Sequence, residues 1–276
     1  MLYLCATPIG NLEDMTFRAI RILKEVNLIA AEDTRRTRKL LTHFEIHTPL
    51  IRFDENCKSQ VAEKILERLK TGESIAIVSD AGLPAISDPG ADLVRLAIDA
   101  GINVCPIPGA NAALSALICS GLDTSKFLFA GFAPKTKKNR REFLQKLSTI
   151  EETIIFYEAP HRLKEFLEEL LEVFGDRAAV LARELTKVHE EFLRGKISEL
   201  IKNLDEPRGE FVVLVEGNKF VAPQPEENLL EFYQKLLEQG LDKKSAMREA
   251  AKKFNVSRRE IYSKVIESEI SHSVNE

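Results

Sequence analysis

The chain has 276 residues, 44% of them hydrophobic, and a formal charge of -4. That length suits two domains with an appendage, and the apolar fraction excludes wholesale disorder. The mild net acidity decides nothing about nucleic acid, so only local charge clusters bear on that question.

The first half alternates strand and helix. Residues 2–6, 28–31, 50–53, 75–78 and 103–107 read as strands. Residues 16–26, 37–44, 59–69, 91–98 and 114–120 read as helices, the first of them with Ala19, Ile20, Leu23 and Val26 along one face. Such alternation predicts a mainly parallel sheet with helices on both faces. After Gly121 the character changes. Strands are expected at 127–132, 153–157, 178–182, 190–193 and 211–215, with a basic stretch at 135–141 leading into a helix and a longer helix at 162–174. More strands and fewer long helices predict a mixed sheet in a second α/β domain. A proline-rich linker at 221–225 precedes three short helical patterns, at 228–239, 243–254 and 257–267. Residues 250–259 resemble a helix-turn-helix with Ser257 as the cap of its second helix. The expected fold class is therefore α/β, two α/β domains and a small helical domain, divided as 1–120, 121–219 and 226–276.

The cysteines Cys5, Cys57, Cys105 and Cys119 show no C-x-x-C spacing and read as reduced thiols of a cytoplasmic protein. His43 and His47 are four apart, but Phe44 stands where a zinc helix needs glutamate, so no metal is expected. No apolar run approaches a membrane span, and the first residues carry no basic stretch followed by an apolar signal core.

The most informative stretch runs from Ser79 to Gly90: Ser-Asp-Ala-Gly-Leu-Pro-Ala-Ile-Ser-Asp-Pro-Gly. It follows a buried strand and is longer than a plain connection of about 2–6 residues. Small residues let a ligand reach the backbone, and Asp80 and Asp88 offer acceptors for hydroxyl or ammonium groups. Ligands of open α/β sheets sit at such carboxyl ends of strands. Asp88 reads equally well as the start of a helix. A second loop, Pro108-Gly109-Ala110-Asn111-Ala112, opens a small-residue helix whose free N–H groups suit an anion, or which simply packs closely on a sheet. No phosphate-binding P-loop, dinucleotide glycine fingerprint or nucleophile elbow is present.

The loop 80–90 resembles the signature of the tetrapyrrole-methylase-like family, in its ribosomal branch. So do Ala6-Thr7-Pro8-Ile9-Gly10-Asn11-Leu12-Glu13-Asp14, Ala31-Glu32-Asp33-Thr34-Arg35, the 108–112 loop, Phe156-Tyr157-Glu158-Ala159-Pro160-His161-Arg162, Ala182-Arg183-Glu184-Leu185-Thr186-Lys187 and Gly209-Glu210-Phe211. These follow in order from residue 2 to about 217. Tetrapyrrole enzymes of the family usually begin with a Pro-Gly-Asp loop, from which Pro8-Ile9-Gly10-Asn11 departs.

The resemblance implies S-adenosylmethionine in a cleft between two α/β domains, 2′-O-methylation of a cytidine in small-subunit (16S) ribosomal RNA, a small-ribosomal-subunit partner and a homodimer. It implies cofactor contacts from Pro8, Ile9 and Gly10, from Asp80, Ala81, Gly82 and Leu83, and from Pro108, Gly109, Ala110, Asn111 and Ala112. On the second-domain side it implies Tyr157, Glu158, Ala182, Arg183 and Glu210. A ribose hydroxyl is a poor nucleophile, so a base or a charge-stabilising group is wanted. The candidates are Glu158, His161, Asp33 and Glu184, with Arg35 or Arg183 steadying charge. Glu158 ranks first because it ends a strand facing the expected cleft; it equally suits an ion pair with Arg162 or Arg183, and His161 equally suits a helix cap. RNA contacts are expected from Arg35, Arg36, Arg38 and Lys39, from Lys135, Lys137, Lys138, Arg140 and Arg141, and from the tail, whose basic residues include Lys243, Lys244, Arg248, Lys252, Lys253, Arg258, Arg259 and Lys264. Competing readings are a small-molecule methyltransferase acting on a tetrapyrrole-type ring and a non-catalytic RNA-binding module.

Overall fold

The computed structural model of the chain describes residues 1–54, 58–86, 90–219, 229–254, 256–257 and 261–262. The chain divides into two compact units, Met1–Lys219 and Phe220–Glu276, and the first holds two sheets.

The short apolar runs of the first half become β1 (Leu2–Cys5), β2 (Leu28–Ala31), β3 (Leu50–Arg52), β4 (Ile75–Val78) and β5 (Val104–Ile107). They form an all-parallel sheet in the order β3-β2-β4-β1-β5. Every residue of β2 and β4 is buried, because helices cover both faces. On one face Ile22 and Leu23 of α1 (Phe17–Glu25) pack with Cys5, Ile29 and Ala76. On the other, Ile65 of α3 (Lys58–Lys70) and Leu93 of α4 (Ala91–Asp99) pack with Leu2, Leu28 and Ile77. Leu23, Ile65 and Leu93 are fully buried; each such side chain contributes about 1.5–3 kcal/mol through burial.

Side-chain caps start two helices earlier than their apolar periodicity suggests. α2 (Thr34–His43) starts at Thr34 rather than 37, because Asp33 caps it by accepting the Arg35 N–H at 2.8 Å. α5 (Ala112–Ser120) starts at Ala112 rather than 114, because Asn111 accepts the Leu114 N–H at 2.9 Å. A side-chain cap adds a first turn that carries no hydrophobic pattern of its own.

The second sheet is mixed. β6 (Phe127–Phe132), β7 (Thr153–Glu158), β8 (Ala178–Arg183), β9 (Glu191–Lys196) and β10 (Phe211–Val215) lie in the order β6-β7-β10-β8-β9. β6 and β7 are parallel and the other pairs antiparallel. α6 (Lys137–Leu147), α7 (Pro160–Phe174) and α8 (Ile197–Lys202), a helix too short to show a periodic pattern in the sequence, cover one face through Leu144, Phe166, Leu200 and their neighbours. α5 covers the other, setting Ala116 and Leu117 against Ile155, Val180 and Leu214. Thus the helix that follows the last strand of the first sheet packs on the second sheet, and the small residues of α5 permit that close approach.

The basic stretch at the start of α6 needs a correction. Arg140 is buried, and its guanidinium holds Glu169 through Nε and Nη2 at 2.6 and 2.7 Å and Glu165 at 2.7 Å. It ties α6 to α7 and is not available to RNA. Arg141 reaches Glu172, also on α7, at 2.6 Å but stays half-exposed.

In the second unit, α9 (Leu229–Glu238) and α10 (Lys243–Phe254) bury Tyr233, Ala246, Ala250 and Ile261 together. Asp242 caps α10 by accepting the Lys244 and Ser245 N–H groups. The Lys253 ammonium lies 3.7 Å from the centre of the Phe232 ring. The expected linker at 221–225, Asp88, Cys57, Arg258, Arg259, Lys264 and most of the third tail helix lie outside the described residues.

Candidate functional site

Where strands of the first sheet end, their turns are laced together. The Thr7 and Gly82 N–H groups donate to each other's carbonyls at 2.8 and 3.0 Å, joining the turn after β1 to the loop after β4. Gly82 sits at φ +80°, a left-handed conformation that glycine adopts without cost. The Thr7 hydroxyl donates to the Ser79 carbonyl at 3.1 Å. Asp80 then binds the turn after β2: one carboxylate oxygen accepts the Asp33 N–H at 3.1 Å, and the other lies 3.4 Å from Arg36 of α2.

Across from these turns stands the second sheet. In β10, Val212 lies between Tyr157 of β7 and Ala182 of β8, whereas Phe211 lies between Glu158 and Arg183. Alternation along a strand therefore sends Tyr157, Ala182 and Val212 to the face that carries α5, and Glu158 with Phe211 to the face toward α7. The Tyr157 ring is held edge-on by Phe129 and Phe132, at 5.0 and 5.5 Å.

Between the two sheets lies a cleft of about 420 Å³. Ile9, Asp80, Ala81, Gly82, Leu83, Asn111 and Ala112 line it from the first sheet's turns and the start of α5. Tyr157, Glu158, Ala182, Glu210 and Val212 line it from the second sheet. An apolar wall with a few converging polar groups is the usual make-up of a small-molecule site of this size.

Residues 1–201 match the family described as Tetrapyrrole (Corrin/Porphyrin) Methylases. The chain belongs to this family. Among solved structures, the tetrapyrrole methylase fold of this chain is similar to a diphthine synthase, with a TM-score of 0.60, 14% identity and coverage of 78% of this chain and 89% of that one. It is also similar to a uroporphyrin-III C-methyltransferase from Thermus thermophilus complexed with S-adenyl homocysteine, with a TM-score of 0.55, 16% identity and coverage of 79% and 97%. The sequence likeness is much higher to two proteins named Ribosomal RNA small subunit methyltransferase I. The one from Bacillus subtilis (strain 168) is 51% identical over 95% of this chain and 92% of its own length. The one from Synechocystis sp. is 46% identical over 98% of both.

Within this tetrapyrrole methylase cleft, Glu158 does not present a free carboxylate. Its side chain is fully buried, accepts the Ala159 N–H at 2.8 Å and lies 3.3 Å from Arg162. Burial raises its carboxyl above the ordinary range, against the pull of that N–H and of Arg162. Arg162 in turn donates to the Ala133 and Pro134 carbonyls. Glu158 thus fixes the start of α7 against the end of β6.

Five other residues singled out from the sequence sit off the cleft wall. His161 is exposed in the first turn of α7. Asp33 is engaged in capping α2, and the hydrogen bonds from the Arg35 side chain and N–H hold its carboxyl down at about 2. Arg35 bends back onto Asp33 and is otherwise exposed. Arg183 donates to the Arg208 carbonyl and faces Glu191. Glu184 accepts from Lys187 and from the Glu210 N–H, both at 2.8 Å, and the Lys187 hydrogen bond lowers its carboxyl below the ordinary range. Pro108, Gly109 and Ala110 do not line the cleft, and the first two are exposed. A Cβ on Gly109 would meet the Ala6 methyl at 2.7 Å, so that loop is glycine for packing. Pro8 and Gly10 line an adjoining space instead.

Glu32 and Leu185, which stand inside the family-like stretches without being named as site residues, and Phe132, which stands outside them, also line the cleft. Burial, then the neighbouring Asp80 charge, raises the Glu32 carboxyl above its ordinary range. The two carboxylates meet because β2 and β4 are neighbours with Ala31 opposite Val78.

Proposed function

We propose that this chain is an S-adenosylmethionine-dependent methyltransferase of small-subunit ribosomal RNA, acting on a cytidine ribose 2′-hydroxyl. The observation that carries the reading is the likeness at about half of all positions, over nearly the whole chain, to proteins named for that RNA. The donor set of the cleft supports it. Asp80 suits an ammonium or ribose hydroxyls, and the free N–H groups opening α5 suit a carboxylate. Ile9, Leu83, Tyr157 and Val212 suit the faces of an adenine ring. When bound, S-adenosylmethionine supplies an already activated methyl group, so the protein's main task is alignment, worth up to about 7–11 kcal/mol in ideal cases. Gly82 keeps a side chain out of the strand-end turn, and the lacing of three turns by Thr7 and Asp80 fixes their geometry before any ligand arrives.

In this reading residues 1–120 and 121–219 form the two walls, and residues 226–276 form an RNA-docking helical domain. Lys243, Lys244, Arg248, Lys252 and Lys253 on α10, with Glu249 its sole acidic residue, support the docking role. The reading includes a homodimer, supported by the exposed apolar residues Leu114 and Ile118 of α5, and a cytoplasmic site of action, where ribosomes are made. Among the described residues no helix is long and apolar enough to cross a membrane. The test is labelled methyl transfer to purified small subunits from cells lacking this protein, with the product nucleoside identified by mass spectrometry. A 2′-O-methylcytidine is the expected product; no transfer to RNA overturns the reading.

A further inference from the structure

A second chamber of about 330 Å³ opens beside the cleft. The two spaces share Ile9, Arg36, Asp80, Ala81 and Glu210 and therefore adjoin. One wall of the second is α2, which presents Arg36, Thr37, Lys39 and Leu40 to it. Residues 34–43 carry four Lys/Arg and no acidic side chain. Arg35 and Arg38 extend the positive surface outside the chamber as exposed residues. The facing wall includes Pro8, Gly10 and Lys187. Lys187 is fixed by Glu184 at 2.8 Å and Glu210 at 3.0 Å, on a turn where Glu184 and Thr186 both hold left-handed backbone, φ 49° and 67°. Such conformations persist where surrounding contacts impose them. Gly10 allows this turn to approach: a Cβ there would meet the Lys187 side chain at 2.5 Å. In the lining Arg36 faces Asp80 and Lys187 is held by Glu184 and Glu210, so the positive charge the chamber offers a ligand is centred on Lys39.

We propose that this second chamber seats the acceptor nucleotide of a single-stranded RNA segment, with α2 gripping the phosphodiester through Lys39 and Arg36. The inference rests on the reading of the main cleft as the methyl-donor site. In-line transfer requires the acceptor oxygen to approach from beside the donor, and the shared residues Asp80 and Glu210 mark where the two spaces adjoin. The size and sign of the chamber choose the ligand class. A space at the small end of ligand pockets, with Lys39 on its wall, fits one nucleotide and its phosphate. Positive charge along a helix outside the chamber continues the track for the flanking phosphates, as in grooves that bind single strands.

The test uses the full-length protein with small subunits from cells lacking it. Lys39→Gln should raise the KM for subunits about five- to tenfold and reduce the slope of log affinity against log salt by about 0.7, the value for one neutralised phosphate on a single strand. Lys39→Arg should restore both. Leu40→Trp, which fills the chamber from the α2 wall, should raise the same KM at least about tenfold, the scale on which a specific nucleotide interaction matters. The calorimetric Kd for S-adenosylmethionine should stay within about twofold of wild type in all three, because none of these side chains belongs to the donor set. If wild type methylates subunits while Lys39→Gln and Leu40→Trp leave KM and salt slope unchanged, the chamber is not the acceptor site and the methyltransferase reading stands. If wild type transfers no methyl group to subunits, the reading beneath it fails instead. Should Leu40→Trp misfold, the exposed Lys39 pair of variants decides alone.

Discussion

The Asp80 carboxylate accepts the backbone N–H of Asp33 at 3.1 Å, so the side chain that follows β4 holds the turn that follows β2. Its other oxygen faces Arg36 at 3.4 Å. One residue therefore shapes the cleft and contributes a charge to it. Asp80→Ala should lower S-adenosylmethionine affinity at least about tenfold, since a hydrogen bond to a charged group is worth about 1.5–3 kcal/mol. Asp80→Asn keeps an acceptor for the Asp33 N–H but loses the charge, and should fall between. Calorimetric Kd values for the three proteins check the order; equal values would remove Asp80 from the donor site.

Glu32 gives a prediction of opposite sign for stability and function. Its carboxyl is raised above the ordinary value of 4.5 by burial first and by Asp80 second. A carboxyl raised in the folded state contributes stability that is complete below 4.5 and is lost as pH rises through the elevated value. At neutral pH its ionised form is a liability to the free protein. Glu32→Gln should therefore raise the melting temperature at pH 7, with the difference from wild type vanishing in acid. The same variant should bind the methyl donor more weakly. A lower melting temperature at pH 7 would show that Glu32 is a structural partner.

The contrast between Asp80 and Glu32 shows what a sequence can disclose. Asp80 is legible because it follows Ile75-Ala76-Ile77-Val78, a run buried on both faces, and opens a loop too long to be a plain turn. Glu32 follows an equally clear run, but its importance comes from β2 lying beside β4, which no local spacing encodes. The second sheet repeats the lesson. Its strands 153–157 and 211–215 are plain apolar runs. Which face Glu158 takes depends on register across β10, and that register turns it toward α7 and Arg162. Arg140 sits in a basic run that looks solvated for the same reason. Its partners Glu165 and Glu169 stand on α7, beyond the whole of β7 along the chain.

Arg140 tests that correction directly. Its guanidinium and the Glu169 carboxylate are both nearly inaccessible to water. Removing one partner leaves a buried charge unpaired, which costs about 3–5 kcal/mol. Arg140→Ala should show that loss as a lower urea midpoint, whereas the exposed Lys138→Ala should leave the midpoint unchanged. The Arg140 hydrogen bond lowers the Glu169 carboxyl below 4.5. Its contribution is thus complete above 4.5 and is lost as pH falls through the lowered value. The gap between Arg140→Ala and wild type should accordingly narrow in acid. An unchanged midpoint at pH 7 would return Arg140 to the solvent-facing basic group.

Ending the chain after Lys219 separates docking from donor binding. Met1–Lys219 is a compact unit that contains both sheets and all the residues lining the cleft. The removed portion carries α10, where five basic residues accompany a single acidic one. If that helix neutralises phosphates, the salt slope of RNA binding falls by about 0.7–0.9 for every phosphate released. The truncated protein should therefore keep the S-adenosylmethionine Kd of the full chain, bind small subunits at least about tenfold more weakly at moderate salt as several phosphates go unneutralised, and respond less steeply to added salt. Filter binding across a salt series, with calorimetry on the same preparation, reads both quantities. Loss of donor affinity would mean that the helical unit completes the cleft, and an unchanged salt slope would mean that RNA is held by α2 and the first unit alone.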